Sequence, residues 1–429
     1  MIIDQILLVL IGIVDTVMVG RLGEAAVSGV SLVDSINVLI TILLSSLTTG
    51  GAVVTSQYLG RRDTANASES AKHLIYASAL FALALSLVMF FTRNALLHLI
   101  YGNLAPDVMQ EAETYFFWTA FTYPFLALNT AGSALFRCMG NSRVGMWISL
   151  LVNVLNFAGD AFLIFGCQLG VAGAAIATLL SRFISGVVII GLLYAQKKGM
   201  LSLRGIFRPQ FSFGIIRSIL KIAVPSGVEG AMFQFGKIAL ARLVTLFGTT
   251  AIAGNALGNI FMTIGNLPGV AVGNAMLVVV GQCLGAGDTG LAKAYTKKLV
   301  GWSYAIMIVF NSIIIASMPL IFRLFPMSQE ALDYGRLFGT IFCTAAMVVW
   351  IPAYGLPNAL RAAGDAAFTM WVAAFAMWLI RVGVAYLLAY AFGVGAVCVW
   401  ISMVCEWAVR GACFTIRWAS GASIRKKVI

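Results

Sequence analysis

The sequence predicts an all-α polytopic membrane protein, with twelve transmembrane helices in two pseudo-symmetric six-helix bundles related as a parallel repeat. Three observations carry this. Of 429 residues, 61% are hydrophobic and 10% charged, with a mean hydropathy of +0.96; a soluble globular chain carries about a quarter charged residues. Apolar runs long enough to cross a ~30 Å hydrocarbon core recur from end to end. The chain also partly matches itself when shifted by 225 positions.

The apolar runs fall at roughly 2–20, 28–57, 74–92, 115–136, 144–166, 170–195, 214–246, 252–284, 299–325, 336–360, 369–391 and 393–418. The first has no basic region ahead of it, so no cleavable signal peptide is expected. Fourteen residues precede Asp15, which leaves open a natural start upstream of Met1. With the N-terminus inside, the cytoplasmic segments collect Arg61, Arg62, Lys72, Arg137, Arg143, Lys197, Lys198, Arg204, Arg208, Arg217, Lys221, Lys293, Lys297, Lys298, Arg361, Arg417, Arg425, Lys426 and Lys427. The opposite side holds Arg21, Arg93, Arg323 and Arg336. Nineteen against four places both termini in the cytoplasm. The net charge of +12 is therefore topological, with affinity for anionic lipid, and does not point to nucleic acid. Seven cysteines, an odd number without CxxC spacing, read as free thiols packed as small hydrophobes. Two histidines, His73 and His98, make a histidine metal site implausible.

The repeat sets the organisation. LGRRDTANASESAK (59–72) lies over LGAGDTGLAKAYTK (284–297), pairing Gly60, Asp63 and Lys72 with Gly285, Asp288 and Lys297. Gly23, Ala26 and Gly29 fall on Gly248, Ala251 and Gly254. At an offset of 224, Arg137, Gly140, Met146 and Trp147 meet Arg361, Gly364, Met370 and Trp371. Six spans per half keep both halves in one orientation, which makes the repeat parallel about the bilayer normal. Residues 1–200 and 201–429 are expected as the two bundles, joined through the basic linker 196–214. Two bundles so joined leave a cleft, as a transporter of alternating access requires.

One apolar stretch is not uniformly apolar. In LLVNVLNFAGDAFLIFG (150–166), Asn153, Asn156 and Asp160 stand at i, i+3 and i+7 and share a helix face. The aligned positions of the second half are Met377, Ile380 and Val384. The first half alone keeps the polar face.

VDTVMVGRLG (14–23), YLGRRD, FRCMGNSR (136–143), NVLNFAGDAFLIFG (153–166) and GVAGAAIAT (170–178) resemble the multidrug and toxic compound extrusion (MATE) family of cation-coupled antiporters. PSGVE (225–229), FGTTAIAGNALG (247–258), GQCLGAGD (281–288) and ALRAAGD (359–365) extend the resemblance over the whole chain, in order. It implies multidrug efflux: export of cationic, amphipathic compounds in exchange for Na⁺ or H⁺, from a multi-pass protein of the plasma membrane (a bacterial inner membrane) acting as a monomer. No cofactor is implied beyond the coupling ion. In one branch of the family that ion is held in the N-terminal bundle, and the matching residues here are Asp15, Asn156, Asp160 and Thr178, with Asn129 a looser match. In another branch acids in spans 7 and 10 serve. Here span 10 holds no carboxylate in its apolar part, and Glu229 in span 7 is displaced from that branch's position, so the N-terminal site is favoured.

The physical reading runs alongside. A lone ionised group at bilayer depth costs about 2.5–3.5 kcal/mol by insertion scales, so it faces protein or a wet cavity. Asp15 and Asp160, on separate helices, can share one with Asn156 and Thr178. Oxygen donors of this kind suit a hard cation, and two neighbouring carboxylates oppose each other's ionisation, so the cluster can also carry a proton. The bland alternative is hydrogen bonding across helices. Asp34 and Asn153 are candidates for a substrate cavity, as is Glu229, for which an ion pair with Lys237 is the stronger expectation. Arg381 and Glu406 are expected to pair. LTTGGAVV (47–54) and GNLPGVAVGNAM (265–276) read as sites of close helix approach, and Pro225, Pro268, Pro352 and Pro357 as helix kinks. A flippase for lipid-linked precursors on a related fold is the alternative function. An enzyme is not expected, since no HExxH, Gly-x-Ser-x-Gly or His/Asp cluster is present.

Overall fold

The computed structural model describes residues 2–102, 105–196, 200–206, 212–323, 325, 327–424 and 428–429; along the first helix, side chains are described at 2, 3, 5–7, 12, 15 and 18–20. Lys197, Lys198, Arg208, Arg425, Lys426 and Lys427, six of the cations expected to be cytoplasmic, lie outside the described residues.

The described chain is helical throughout. The first half comprises α1 (Ile2–Gly20), α2 (Glu24–Gly60), α3 (Thr64–Tyr101), α4 (Pro106–Ala120), α5 (Tyr123–Cys138), α6 (Ser142–Asp160) with a π-helical continuation Ala161–Gly166, and α7 (Gly170–Ala195). The second comprises α8 (Phe213–Thr245), α9 (Thr249–Gly285), α10 (Thr289–Phe322), α11 (Gln329–Val348), a π stretch Ile351–Gly355 running into α12 (Pro357–Ala362), α13 (Ala366–Phe375), a second π stretch Ala376–Val382 leading into α14 (Gly383–Tyr390), and α15 (Cys398–Ala419). Taking the near-continuous pieces together gives twelve membrane segments. Eight helices are long and apolar enough to cross a bilayer alone, nine when α11 and the bent segment after it count as one. Among the rest, α4 and α5 are split at Phe121–Thr122, and α8 carries Arg217, Lys221, Glu229, Lys237 and Arg242.

Contacts divide the chain into two compact units, residues 3–223 and 224–429, the division falling inside α8 just ahead of Pro225. The internal repeat is visible in the helix ends: α2 and α9 both start and stop 225 residues apart, and α6 and α13 start 224 apart. Equivalent turns use equivalent chemistry. Gly23 and Gly248 precede α2 and α9 at φ +114° and +89°, where a Cβ is strained. Asp63 accepts from the Asn66 N–H at 3.0 Å, and Asp288 from the Leu291 N–H at 2.7 Å, each satisfying an orphan donor of the first turn. The Asn66 side-chain amide and backbone N–H together hold the exposed Asp63 carboxyl below its ordinary value. Such caps let α3 begin ten residues before the apolar run, and its 38 residues reach well past the hydrocarbon.

The glycine-rich stretches do bring helices together. A Cβ at Gly51 would fall inside the Leu74 side chain, one at Gly269 inside the Trp350 ring, and one at Gly265 within 2.6 Å of Asn311 Oδ1. The prolines divide into two groups. Pro225 and Pro268 sit inside unbroken helices, whereas α11 and the segment containing Pro352 and Pro357 meet at a 69° bend. Pro352 has no N–H for the Val348 carbonyl four residues back, and the Tyr304 hydroxyl donates to that carbonyl instead at 3.0 Å. Outward faces are apolar, as at Leu80, Phe91, Leu99, Ile313 and Leu320, which suits a lipid surround. Cysteine burial is less uniform than the packing expectation: Cys138, Cys283, Cys343 and Cys398 are buried, Cys405 and Cys413 half-buried, and Cys167 is exposed at the end of the π stretch.

A candidate cation site in the first half

The polar face of α6 points into protein. Asn156 and Asp160 are buried, at 1% and 0% exposure, in a helix that exposes Val154 and Phe157 beside them. Immediately after Asp160 the helix widens into its π turn, a distortion that recurs at functional sites. Helix α7 packs closely against this stretch because its motif supplies small residues: a Cβ at Gly173 would sit 2.9 Å from the Leu163 carbonyl carbon, and one at Gly159 2.9 Å from Ala177 Cβ. That approach puts Thr178, also buried, beside α6, where its hydroxyl accepts from the Asn156 amide at 3.2 Å.

Asp15 of α1 completes the cluster, its carboxyl lying against Asp160 and Asn156. Both carboxylate oxygens of Asp160, and Oδ1 of Asp15, are buried with no hydrogen-bond donor among the described residues. Buried carboxylate oxygens left so are costly unless a proton or a cation supplies the missing positive charge. Two acids, an amide oxygen and a hydroxyl are all-oxygen donors, and they fit a hard cation or a proton alike.

A second polar chain lies beside the first. The exposed Asp34 accepts from Asn37 at 3.1 Å and faces the Tyr115 hydroxyl at 3.4 Å, while Tyr123 donates to Asn37 at 2.7 Å. Arg182, on α7 one turn beyond Thr178, lies within electrostatic reach of both Asp15 and Asp34 and donates to Thr122 at 2.8 Å. Its place had not been expected from the sequence, although a lone arginine in LLSRFISG was the signal. Among the described membrane-embedded groups of this half, the acids Asp15, Asp34 and Asp160 outnumber the single base Arg182.

Other expected residues lie elsewhere. Asn129 donates to Ser185 at 3.3 Å and accepts from Ser133 at 3.3 Å, joining α5 to the far end of α7 and not to the acids. Asn153 donates to the Leu7 carbonyl at 3.0 Å and the Ser149 carbonyl at 2.7 Å, tying α6 to α1. Glu229 is buried and saturated: Arg361 reaches it at 2.7 Å, Arg410 at 2.9 Å and Thr369 at 3.3 Å. This corrects both the cavity role and the pairing with Lys237, since eight residues of helix separate the two by about 12 Å. Arg381 does pair with Glu406, at 3.5 Å, and Glu406 also meets Arg410 at 3.3 Å.

The whole chain has relatives. A family model described as MatE matches residues 1–162 and again 225–387, once per half. The uncharacterized transporter YisQ of Bacillus subtilis is 28% identical over 433 residues, 99% of this chain and 93% of the relative. The probable multidrug resistance protein NorM of Thermotoga maritima is 24% identical over 434 residues, covering 99% and 91%. The solved structure of MATE in the straight conformation superposes with a TM-score of 0.91 at 19% identity, covering 100% of this chain and 95% of that one. An outward-facing multidrug resistance MATE family transporter of the MOP superfamily gives the same values. With one family model matched in both halves of a twelve-segment chain, the protein belongs to the MatE family and is a multi-pass membrane transporter.

Proposed function

We propose that the protein exports cationic, amphipathic small molecules in exchange for a monovalent cation, H⁺ or Na⁺, held at Asp15, Asn156, Asp160 and Thr178. The observation that carries this is the meeting of two acids from separate helices, with three carboxylate oxygens that no donor satisfies among the described residues. The positive-inside pattern supports a protein with cytoplasmic termini, and the names of relatives such as NorM support multidrug cargo. A flippase would need no such unpartnered acid pair inside one bundle.

Reciprocal linkage gives the mechanism its energetics. If cation binding and cargo binding each favour a different state of alternating access, each weakens the other by the same factor. Proteoliposome efflux under imposed Na⁺ and pH gradients tests this. The intact protein should respond to one of the gradients, and Asp160→Asn to neither. Full gradient-driven efflux by the variant would sink the proposal.

A further inference from the structure

The second unit contains a cavity of about 110 Å³ bounded by α8, α9, α15 and the π stretch Ala376–Val382. Its polar lining is Lys237, Arg381, Asn255 and Asn259; its apolar lining includes Trp400 and Met403. Among the described residues no carboxylate stands within ion-pair distance of Lys237. Arg381 is buried, at 6% exposure, and among the described residues its Nε has no hydrogen-bond partner. Among the described residues the acid paired with Arg381 is Glu406, at a long 3.5 Å, and Glu406 is shared with Arg410. The Trp400 indole N–H donates to Asn255 Oδ1 at 3.2 Å, which leaves the Asn255 NH₂ as that amide's remaining donor. The polar wall is therefore cationic and rich in donors, and the carboxylates near it are already taken.

The repeat gives an independent reason to regard this as a site. At the 225-residue offset, Leu240 stands where the first half has Asp15, and Asn259 where it has Asp34. Both residues line the cavity. Asp15 and Asp34 are thus replaced at the equivalent places by neutral groups, with Lys237 and Arg381 added. Setting Lys237, Arg381 and Arg410 against Glu229 and Glu406, bases outnumber acids among these embedded groups.

We propose that this cavity binds the carboxylate of a small organic anion, with Lys237 and Arg381 as counter-charges, Asn255 and Asn259 as donors, and Trp400 and Met403 against its apolar body. An apolar cavity of roughly 150 Å³ holds a benzene ring, so the volume suits a carboxylate with a few attached carbons. The site extends the cargo class beyond the cations proposed above to compounds that carry an acidic group.

Purified protein in neutral detergent, titrated calorimetrically with butyrate and with the uncharged butyramide, tests this. The acid should bind the intact protein at least tenfold more tightly than the amide. Lys237→Met should erase that preference, and Lys237→Arg should keep it. Asn259→Asp, which restores the first half's carboxylate, should erase it with Lys237 in place. Equal binding of acid and amide to the intact protein would overturn the proposal. So would a preference that survives Lys237→Met in a variant melting at the parent temperature. Displacement of butyrate by phosphatidylglycerol in the same micelles would assign the cavity to a lipid headgroup, and would overturn the small-molecule reading. Equilibrium binding uses no ion gradient, so failure here leaves the coupling role of Asp15 and Asp160 standing, and the reverse.

Discussion

The two halves share helix boundaries, turn chemistry and a family match, yet they treat buried charge in opposite ways. In the first half, Asp15 and Asp160 meet with oxygens that no donor satisfies among the described residues. In the second, Glu229 is closed by Arg361, Arg410 and Thr369, and Arg410 further lies 4.4 Å from the centre of the Tyr354 ring. A buried ion pair that is fully met holds its helices in register, and breaking it strands a charge. A buried acid that is not met invites a cation. The lesson is that duplicated scaffolds can keep geometry while diverging in charge, one half leaving its acid pair unmet and the other closing Glu229 with two arginines.

Substitutions can break or sharpen this contrast. The largest expected effect is on transport: Asp160→Asn should reduce uphill efflux to the level of protein-free vesicles, and its melting temperature in detergent should stay level or rise, because an unpartnered buried carboxylate is removed. The reverse pattern is expected for Glu229→Gln. It leaves Arg361 and Arg410 without their shared counter-charge, and thermal unfolding should show a loss of about 3–5 kcal/mol. Next in size, Thr178→Val removes the acceptor of the Asn156 amide, about 1 kcal/mol of stability. In transport assays it should raise the coupling ion's half-saturation concentration while leaving the maximal rate near the parent's. The smallest effects should be equal in the two halves: Asp63→Ala and Asp288→Ala each remove one helix cap and should lower the melting temperature slightly and alike. The Asp63 carboxyl sits below its ordinary value, so its contribution is complete above the usual carboxylate range and is lost as pH falls through the lowered value. Melting curves of the parent and Asp63→Ala should converge in acid.

The sequence discloses some of this and hides the rest for physical reasons. The repeat was legible because Gly23, Asp63 and their partners answer local needs, a positive φ and an orphan N–H, that recur at fixed spacing. Asn156 and Asp160 were legible because helix periodicity puts them on one face, and Thr178 because its motif matches. The partners of Glu229 were not. Arg410 is 181 residues away and reaches Glu229 only through the packing of α15 on its unit, whereas Lys237, on the same helix, looks near in sequence and is two turns off. Arg182 stood in plain view but lacked any local partner to explain it. The π turns at Ala161–Gly166 and Ala376–Val382 leave no compositional mark, since neither contains a proline, whereas Pro124 follows the break at Phe121–Thr122 and Pro352 lies in the π stretch Ile351–Gly355. Asn129 shows the limit of motif matching: it is bonded to Ser185 of α7 and not to the acids.

The most direct test is cation release from purified protein when cargo is added, followed with a pH-sensitive dye and, in parallel, with radioactive sodium. Cargo should displace one of the two ions from the intact protein, by the linkage that antiport requires, and should displace none from Asp160→Asn. Undiminished release from that variant would contradict the assignment of the coupling site to the first half.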